Sequence, residues 1–265
     1  MWKMAVIGKD VSKSSSPKMH TFIMHKLGEE CTYDTVSLTA EEFQRRAEGL
    51  FSEYDAFNVT IPYKLSILPY LSSVNGDAKT FGAVNTVRSS DRSGYNTDGL
   101  GFMLMLRNNQ IETQGKSALV LGTGGAGRSV VKKLLDGGAS VSVFDLRKES
   151  ALAVQAEFGK VRVLDELQPE RYDMIVNVTG VGMHKTEGIS PVGADVLQEC
   201  DIAVDLIYVP EKSEFLRIAE SLGKKIVNGK AMLFYQAYYA DCIYLGREAD
   251  EAFAKRIFEE YCTQV

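Results

Sequence analysis

The sequence predicts a two-lobed α/β protein, one lobe of which carries a doubly wound parallel sheet. Three observations point there. Short apolar runs alternate with windows of helical periodicity along the chain, the pattern of strand–helix–strand units whose strands lie parallel. The run Asp173–Val178 is nearly all apolar, as expected for a strand covered on both faces. A glycine-rich turn at Gly122–Gly127 opens a second, self-contained series of such units in mid-chain.

The expected strands are Met4–Ile7, Tyr33–Val36, Asp55–Val59, Ala83–Arg88, Ala118–Leu121, Ser140–Phe144, Val161–Leu164, Met174–Val178, Ile202–Leu206 and Lys225–Val227. Each is short, apolar and bounded by polar or glycine-containing segments. Helical spacing of apolar residues marks Pro17–Leu27, Glu41–Leu50, Arg128–Leu135 and Ser150–Phe158. Gly99–Gln110, rich in Met and Leu on one face, reads as a helix leading out of the first lobe. Ala231–Tyr244, apolar and aromatic, reads as one leading back. The first domain is therefore placed over residues 1–100, completed by 236–265, and the second over 101–235.

Composition removes several classes of function. The chain has 265 residues, 45% hydrophobic and 25% charged, which is ordinary for a globular protein and excludes disorder, collagen and coiled coil. Thirty basic against 35 acidic residues leave a net charge of −5, opposite to the basic face that nucleic acid requires. No stretch approaches 18 apolar residues, so no membrane partner is expected. The opening residues lack the apolar run of a signal peptide. Cys31, Cys200, Cys242 and Cys262 are scattered without a CxxC pair; they read as reduced thiols of a cytoplasmic protein, with no metal site. His20 and His25 lack a third ligand.

Gly122, Gly124 and Gly127 stand at the spacing G-x-G-x-x-G between an apolar strand and a helix. The first permits the tight turn, the second lets the backbone approach a pyrophosphate, and the third lets helix and strand pack closely. N–H groups at the helix start then face the phosphates. This context marks the second lobe as Rossmann-type. Asp145 ends the next strand, where an acidic residue bonds the ribose 2′-hydroxyl and favours NAD. Arg147 follows and is placed to pair with the 2′-phosphate of NADP instead.

Four polar clusters lie in the first lobe: Ser12–Pro17, Asn58–Lys64, Gly82–Thr86 and Tyr95–Gly99. Ser16 before Pro17 reads as an N-cap with proline at the first helical position, which leaves Ser14 unexplained. Asn58, Thr60 and Lys64 lie at and just beyond the carboxyl end of a buried strand, where open α/β sheets bind ligands; the plainer reading is a turn capped by Asn58 and Thr60. Asp98 reads as a cap for the helix that follows.

In this order the clusters give S-x-S-P, N-V-T-x-P-x-K, G-A-V-N-T and N-T-D-G. Further on stand G-x-G-G-A-G, Asn177–Met183 as N-x-T-x-x-G-M, Asp205–Pro210 as D-x-x-Y-x-P, and Met232–Ala237 as M-L-x-x-Q-A. The ordered set covers essentially the whole chain and strongly resembles the shikimate dehydrogenase family. The resemblance implies an oxidoreductase that reversibly reduces 3-dehydroshikimate to shikimate with NAD or NADP on the route to chorismate and the aromatic amino acids, with its site in the cleft between the lobes. It implies that Ser14 and Ser16 bind the substrate carboxylate, that Thr60, Asn85, Asp98 and Gln236 bond its hydroxyls, and that Tyr208 lies close to it. Lys64 and Asp98 would form the catalytic pair. Gly122, Gly124, Gly125, Ala126 and Gly127 would hold the pyrophosphate, Asp145 and Arg147 the adenosine ribose, and Thr179, Met183 and Gly229 the nicotinamide. The chemistry suits the residues, since an alkoxide left by hydride addition needs a proton and a positive field, and a lysine supplies both.

The chain departs from the family at several places. Lys13 stands where histidine is usual, Thr21 where asparagine follows His20, and Gly8-Lys9-Asp10 where G-x-P is usual. Asp145-Leu146-Arg147 replaces the Asn-Arg-Thr of many NADP-using members. Repulsion between Asp145 and a 2′-phosphate leads to an expected NAD preference. The rivals are a quinate or dual quinate/shikimate dehydrogenase, the folate-linked methylene dehydrogenases, which lack the full motif set, and a non-catalytic nicotinamide or metabolite sensor, which would have no use for a proton donor. A monomer or homodimer is expected.

Overall fold

The computed structural model describes residues 1–264, and the chain divides into two compact units, Met1–Gly101 with Phe234–Val265, and Phe102–Leu233.

Unit 1 contains β1 (Trp2–Gly8), α1 (Ser16–Lys26), β2 (Cys31–Ser37), α2 (Ala40–Glu53), β3 (Ala56–Val59), β4 (Ser73–Val74), α3 (Asp77–Phe81), β5 (Thr86–Arg88), β6 (Ser93–Tyr95) and the start of α4 (Asp98–Asn108). The strands form one sheet in the order β2-β1-β3-β5-β6-β4. β1 pairs parallel with β2 and β3, because a helix lies in each crossover. Its far side departs from the all-parallel expectation: β5 runs antiparallel to both β3 and β6. Only Ser89–Arg92 join β5 to β6, and a parallel return needs a crossover of roughly a dozen residues. α2 illustrates the local logic. Thr39 and Glu42 cap it reciprocally, and Phe43, Ala47 and Leu50 recur at helical spacing and are buried. They meet Ile7, Phe57 and Val59 of the sheet in one apolar core.

Unit 2 contains β7 (Ser117–Leu121), α5 (Gly125–Asp136), β8 (Ser140–Phe144), α6 (Lys148–Phe158), β9 (Val161–Val163), β10 (Tyr172–Asn177), α7 (Ala194–Gln198), β11 (Cys200–Asp205), α8 (Glu214–Ser221) and β12 (Lys225–Val227). Its sheet is wholly parallel, in the order β12-β11-β10-β7-β8-β9. Counted within the unit, that is the doubly wound 3-2-1-4-5-6 arrangement, whose strand order reverses between β7 and β10. β7 and β10 are buried almost throughout, as a central strand covered on both faces must be. α9 (Lys230–Leu245) and α10 (Glu251–Thr263) complete the chain. Asp250 caps α10 by accepting from the N–H groups of Ala252 and Phe253.

Candidate active site

In unit 1 the buried strands deliver polar side chains to one place. Lys64, in the turns after β3, donates to Asp98 Oδ2 at 2.6 Å. The two side chains are 21% and 13% exposed, so the pair is partly desolvated yet open to a small molecule. Asp98 Oδ1 accepts from Asn85 Nδ2 at 2.8 Å. Asn85 Oδ1 in turn accepts from the Thr86 hydroxyl at 2.7 Å and the Thr97 N–H at 3.0 Å. The Thr97 hydroxyl also meets Gln236 Oε1 at 3.4 Å, which brings α9 to the same cluster. Lys64, Asn85, Asp98 and Gln236 thus come together. A carboxylate bonded on both oxygens cannot swing, and it holds the ammonium in one place.

Ser14 and Ser16 lie at the start of α1 with hydroxyls 3.0 Å apart. Ser16 is not the N-cap: it is the first helical residue, and Ser15 at the cap position makes no side-chain capping bond. Ser14 Oγ accepts from the Ser16 N–H at 3.2 Å instead, because a hydroxyl two residues ahead reaches that N–H in a local turn. Asp98 likewise opens α4 as a helical residue, its N–H satisfied by Asn96 Oδ1 at 3.1 Å. Asn58 caps no turn: its Nδ2 donates to the Asn85 carbonyl and its Oδ1 accepts from the Tyr33 hydroxyl at 2.7 Å. Thr60 follows β3, its N–H bonded to the Ile7 carbonyl.

In unit 2 the candidate cofactor residues all follow carboxyl ends of parallel strands. Gly122 has φ +97°, a conformation open mainly to glycine. A Cβ on Gly127 would lie 2.2 Å from the Gly122 carbonyl oxygen, so close helix–strand packing demands glycine there. Gly124 and Gly125 differ, since a Cβ at either would meet nothing within 4 Å. The protein does not need glycine at those two places, whereas a diphosphate against the backbone does. No side chain caps α5, which leaves its first N–H groups, from Gly125 and Ala126 onward, free to face an anion. The residues therefore fit a dinucleotide. Thr179, after β10, bonds Asn177 Oδ1 through both its N–H and its hydroxyl. Met183 precedes a short 3-10 turn in the same loop. Gly229 is forced, because a Cβ there would lie 2.1 Å from the Leu206 carbonyl oxygen. Tyr208 belongs to this unit and is 37% exposed.

Asp145 accepts hydrogen bonds from its own turn and from the glycine-rich one. Its Oδ2 accepts from the Thr123 N–H and hydroxyl at 2.8 and 2.7 Å, and its Oδ1 from the Arg147 N–H at 2.9 Å. Burial raises its pKa, but these hydrogen bonds outweigh it and hold the carboxyl below its ordinary range. Its side chain is 11% exposed, against 75% for Arg147.

Two supporting groups escaped the sequence reading. Asp205 is fully buried and accepts from Asn177 Nδ2, from the Ile207 N–H and from the Ser213 hydroxyl; burial pushes its carboxyl up against those bonds. It fixes the start of the Tyr208 loop; the sequence showed it as the first residue of D-x-x-Y-x-P but gave it no role. Thr97 was visible as a member of a cluster but not as its hub. Among the described residues no group of acidic, histidine or cysteine side chains is placed to hold a metal, and no helix is long and apolar enough to cross a membrane.

Comparison with known proteins agrees with these motifs. Residues 6–87 match the model of the shikimate dehydrogenase substrate binding domain. The chain is 36% identical over 248 residues to a shikimate dehydrogenase (NADP(+)) of Thermus thermophilus, covering 93% of each. It is 32% identical over 257 residues to one of Clostridium beijerinckii, covering 96% of this chain and 95% of that one. Among solved structures, a Thermus thermophilus shikimate 5-dehydrogenase in complex with NADP(H) and shikimate matches with TM-score 0.88 and 35% identity, over 98% of this chain and 99% of that one. A chorismate mutase/shikimate 5-dehydrogenase fusion protein of Clostridium acetobutylicum matches with TM-score 0.91 and 34% identity, over 100% and 98%. Identity at this level along nearly the full length, with every motif in order, settles the kinship: the chain belongs to the shikimate dehydrogenase family.

Proposed function

We propose that this protein interconverts 3-dehydroshikimate and shikimate with a nicotinamide dinucleotide. The observation that carries the reading is the Lys64–Asp98–Asn85 cluster, an acid/base pair held on both carboxylate oxygens. A sensor has no use for it. The dinucleotide, when bound, supplies or accepts the hydride. Lys64 gives a proton to the alkoxide oxygen in reduction and takes it from the hydroxyl in oxidation. Asp98 keeps the ammonium in line. Asn85, Thr60 and Gln236 bond substrate hydroxyls, and the Ser14 and Ser16 hydroxyls bond its carboxylate, as neutral donors do where no arginine is at hand.

The finer reading of the cofactor is NADP(H). The expected NAD preference finds no support among the relatives, whose names carry NADP(+), and the geometry supplies a reason. Asp145 spends its oxygens on Thr123 and Arg147, so little of it is left for a ribose hydroxyl. Arg147 is largely exposed, and its ion pair with Asp145 is a long one, 4.0 Å from Nε to Oδ1, so its guanidinium can turn to a 2′-phosphate.

The test is a steady-state assay with shikimate and quinate, each with NADP⁺ and NAD⁺. Shikimate with NADP⁺ is expected to give the highest kcat/KM. Arg147→Leu is expected to lower kcat/KM for NADP⁺ about 10- to 100-fold, the value of a hydrogen bond between charged groups, and to leave NAD⁺ within about threefold. A wild type that prefers NAD⁺ would show that the Asp145 charge prevails. One that turns over neither acid would return the chain to the sensor reading.

A further inference from the structure

His20 and Asp241 form a buried pair that the proposed chemistry does not use. His20 Nδ1 lies 2.6 Å from Asp241 Oδ1, and the side chains are 1% and 0% exposed. The contact joins α1 to α9 across 221 positions of sequence. Other titratable groups that feel Asp241 are Cys31 and Tyr33 from β2 and Cys242 and Tyr244 from α9, all of them neutral near pH 7. Burial pushes the Asp241 carboxyl up, against the pull of the His20 ring. The far ring nitrogen, Nε2, and Asp241 Oδ2 are buried without a hydrogen-bond partner.

The His20 ring stacks on Tyr33, with centroids 4.6 Å apart and 13° between planes. The Tyr33 hydroxyl donates to Asn58 Oδ1, Asn58 Nδ2 to the Asn85 carbonyl, and Asn85 Nδ2 to Asp98 Oδ1. A continuous line of contacts therefore runs from Asp241 to the Lys64–Asp98 pair. We propose that Asp241 is a positioning residue: it holds the His20 ring in one orientation against Tyr33, and so fixes the Asn58–Asn85 relay that orients Asp98. This rests on the dehydrogenase reading above.

The test is a double-mutant cycle on kcat. Tyr33→Phe, which removes only a hydroxyl, should lower kcat about tenfold and move KM for shikimate less than threefold. Asp241→Val should do the same. Asp241→Asn, whose amide oxygen still accepts from Nδ1–H, should stay within threefold of wild type. The Tyr33→Phe/Asp241→Val double variant should fall about tenfold, not the hundredfold expected of independent sites. Cofactor-binding stoichiometry normalises each rate to folded protein. Imidazole ¹⁵N spectra recorded without substrate should show His20 protonated at Nδ1 in wild type and Asp241→Asn, and released from that state in Asp241→Val. A multiplicative double variant, an Asp241→Val enzyme with more than half the wild-type kcat, or a ring state indifferent to position 241 overturns the inference alone. A wild type inactive on shikimate overturns the functional reading, and the catalytic role of the pair with it.

Discussion

Lys64 and Asp98 face each other at 2.6 Å with both side chains mostly covered, so removing the lysine leaves a covered carboxylate and no proton donor. Lys64→Ala should lower kcat about 10²- to 10⁴-fold, the usual weight of a positioned acid/base group, and move KM for shikimate far less. Single-turnover rates with saturating substrate check this, and a variant keeping a third of wild-type turnover would remove Lys64 from the mechanism. These residues were legible because they sit in short motifs at strand ends, where a polar side chain in an otherwise apolar run needs a reason. Partnership was not legible. Asn58 read as a strand-end polar residue or, more plainly, a turn cap, and it is the link between Tyr33 and Asn85. Asp145 read as a ribose ligand, and the three hydrogen bonds it accepts from Thr123 and Arg147 had no signal in the spacing. His20 read as bland because its partner, Asp241, is 221 positions away. A spacing rule sees neighbours along the chain, whereas the hydrogen-bond partners of a buried polar group come from wherever the fold brings them.

At the scale of elements, helices and strands with an apolar run could be read from sequence, the three-residue β9 and β12 among them, whereas β4 and β6 could not. β4 has two residues and β6 is Ser93-Gly94-Tyr95; neither carries an apolar pattern, and each forms on an edge that a neighbour offers, β6 on β5 and β4 on β6. α1 shows how an element presents chemistry. Since Ser14, not Ser16, accepts the helix N–H, the two serines should separate in their effects. Ser14→Ala and Ser16→Ala should each weaken shikimate binding by about 1.5–3 kcal/mol, the range for a hydrogen bond to a charged group, and leave KM for NADP⁺ unchanged. Only Ser14→Ala should also lower thermal stability, by about 1 kcal/mol; equal melting temperatures would refute that division. A second pair of elements, β7 and β10, is tied at its amino end by Asp173, which accepts from the Ser117 N–H and hydroxyl at 2.8 Å. Those two bonds, with Lys116, hold its carboxyl down to about 2 from an ordinary 3.8. A lowered folded-state pKa stabilises above the unfolded value, so this contribution is complete above about pH 5 and fades as pH falls through 3.8 toward 2. At about 1.4 kcal/mol per unit it is worth roughly 2 kcal/mol. Urea unfolding should find Asp173→Asn less stable than wild type by that amount at pH 7 and nearly equal to it at pH 2. A gap that does not change with pH would mean that packing, not charge, is lost.

For the whole molecule, the chain order of the two units makes an unequal pair. Unit 2 is one uninterrupted stretch, Phe102–Leu233. All six strands of its sheet lie inside that stretch, and so does its apolar core of Leu119, Ile175, Ala203, Phe215 and their neighbours. Unit 1 is discontinuous, Met1–Gly101 with Phe234–Val265. Its sheet is complete before residue 102, but one of its cores packs Met4, Met24 and Ala56 against Ala240 and Tyr244 of α9. The buried His20–Asp241 pair spans the same join. Cutting the C-terminal helices away would uncover that apolar surface and strand a buried histidine, at several kcal/mol in all, against a domain stability of about 5–15 kcal/mol. A fragment of residues 102–233 is therefore expected to unfold cooperatively on heating and to disperse its amide spectrum. A fragment of residues 1–101 should do neither, until residues 234–265 are restored. Thr97 and Gln236 are in hydrogen-bond contact, so the two ends of unit 1 approach closely enough for a linker of a few glycine and serine residues to close the gap. The joined unit should regain a cooperative transition. If residues 1–101 fold alone with the stability of the joined unit, α9 and α10 are accessories of that core; if residues 102–233 fail to fold, the continuous unit draws its stability from the rest of the chain.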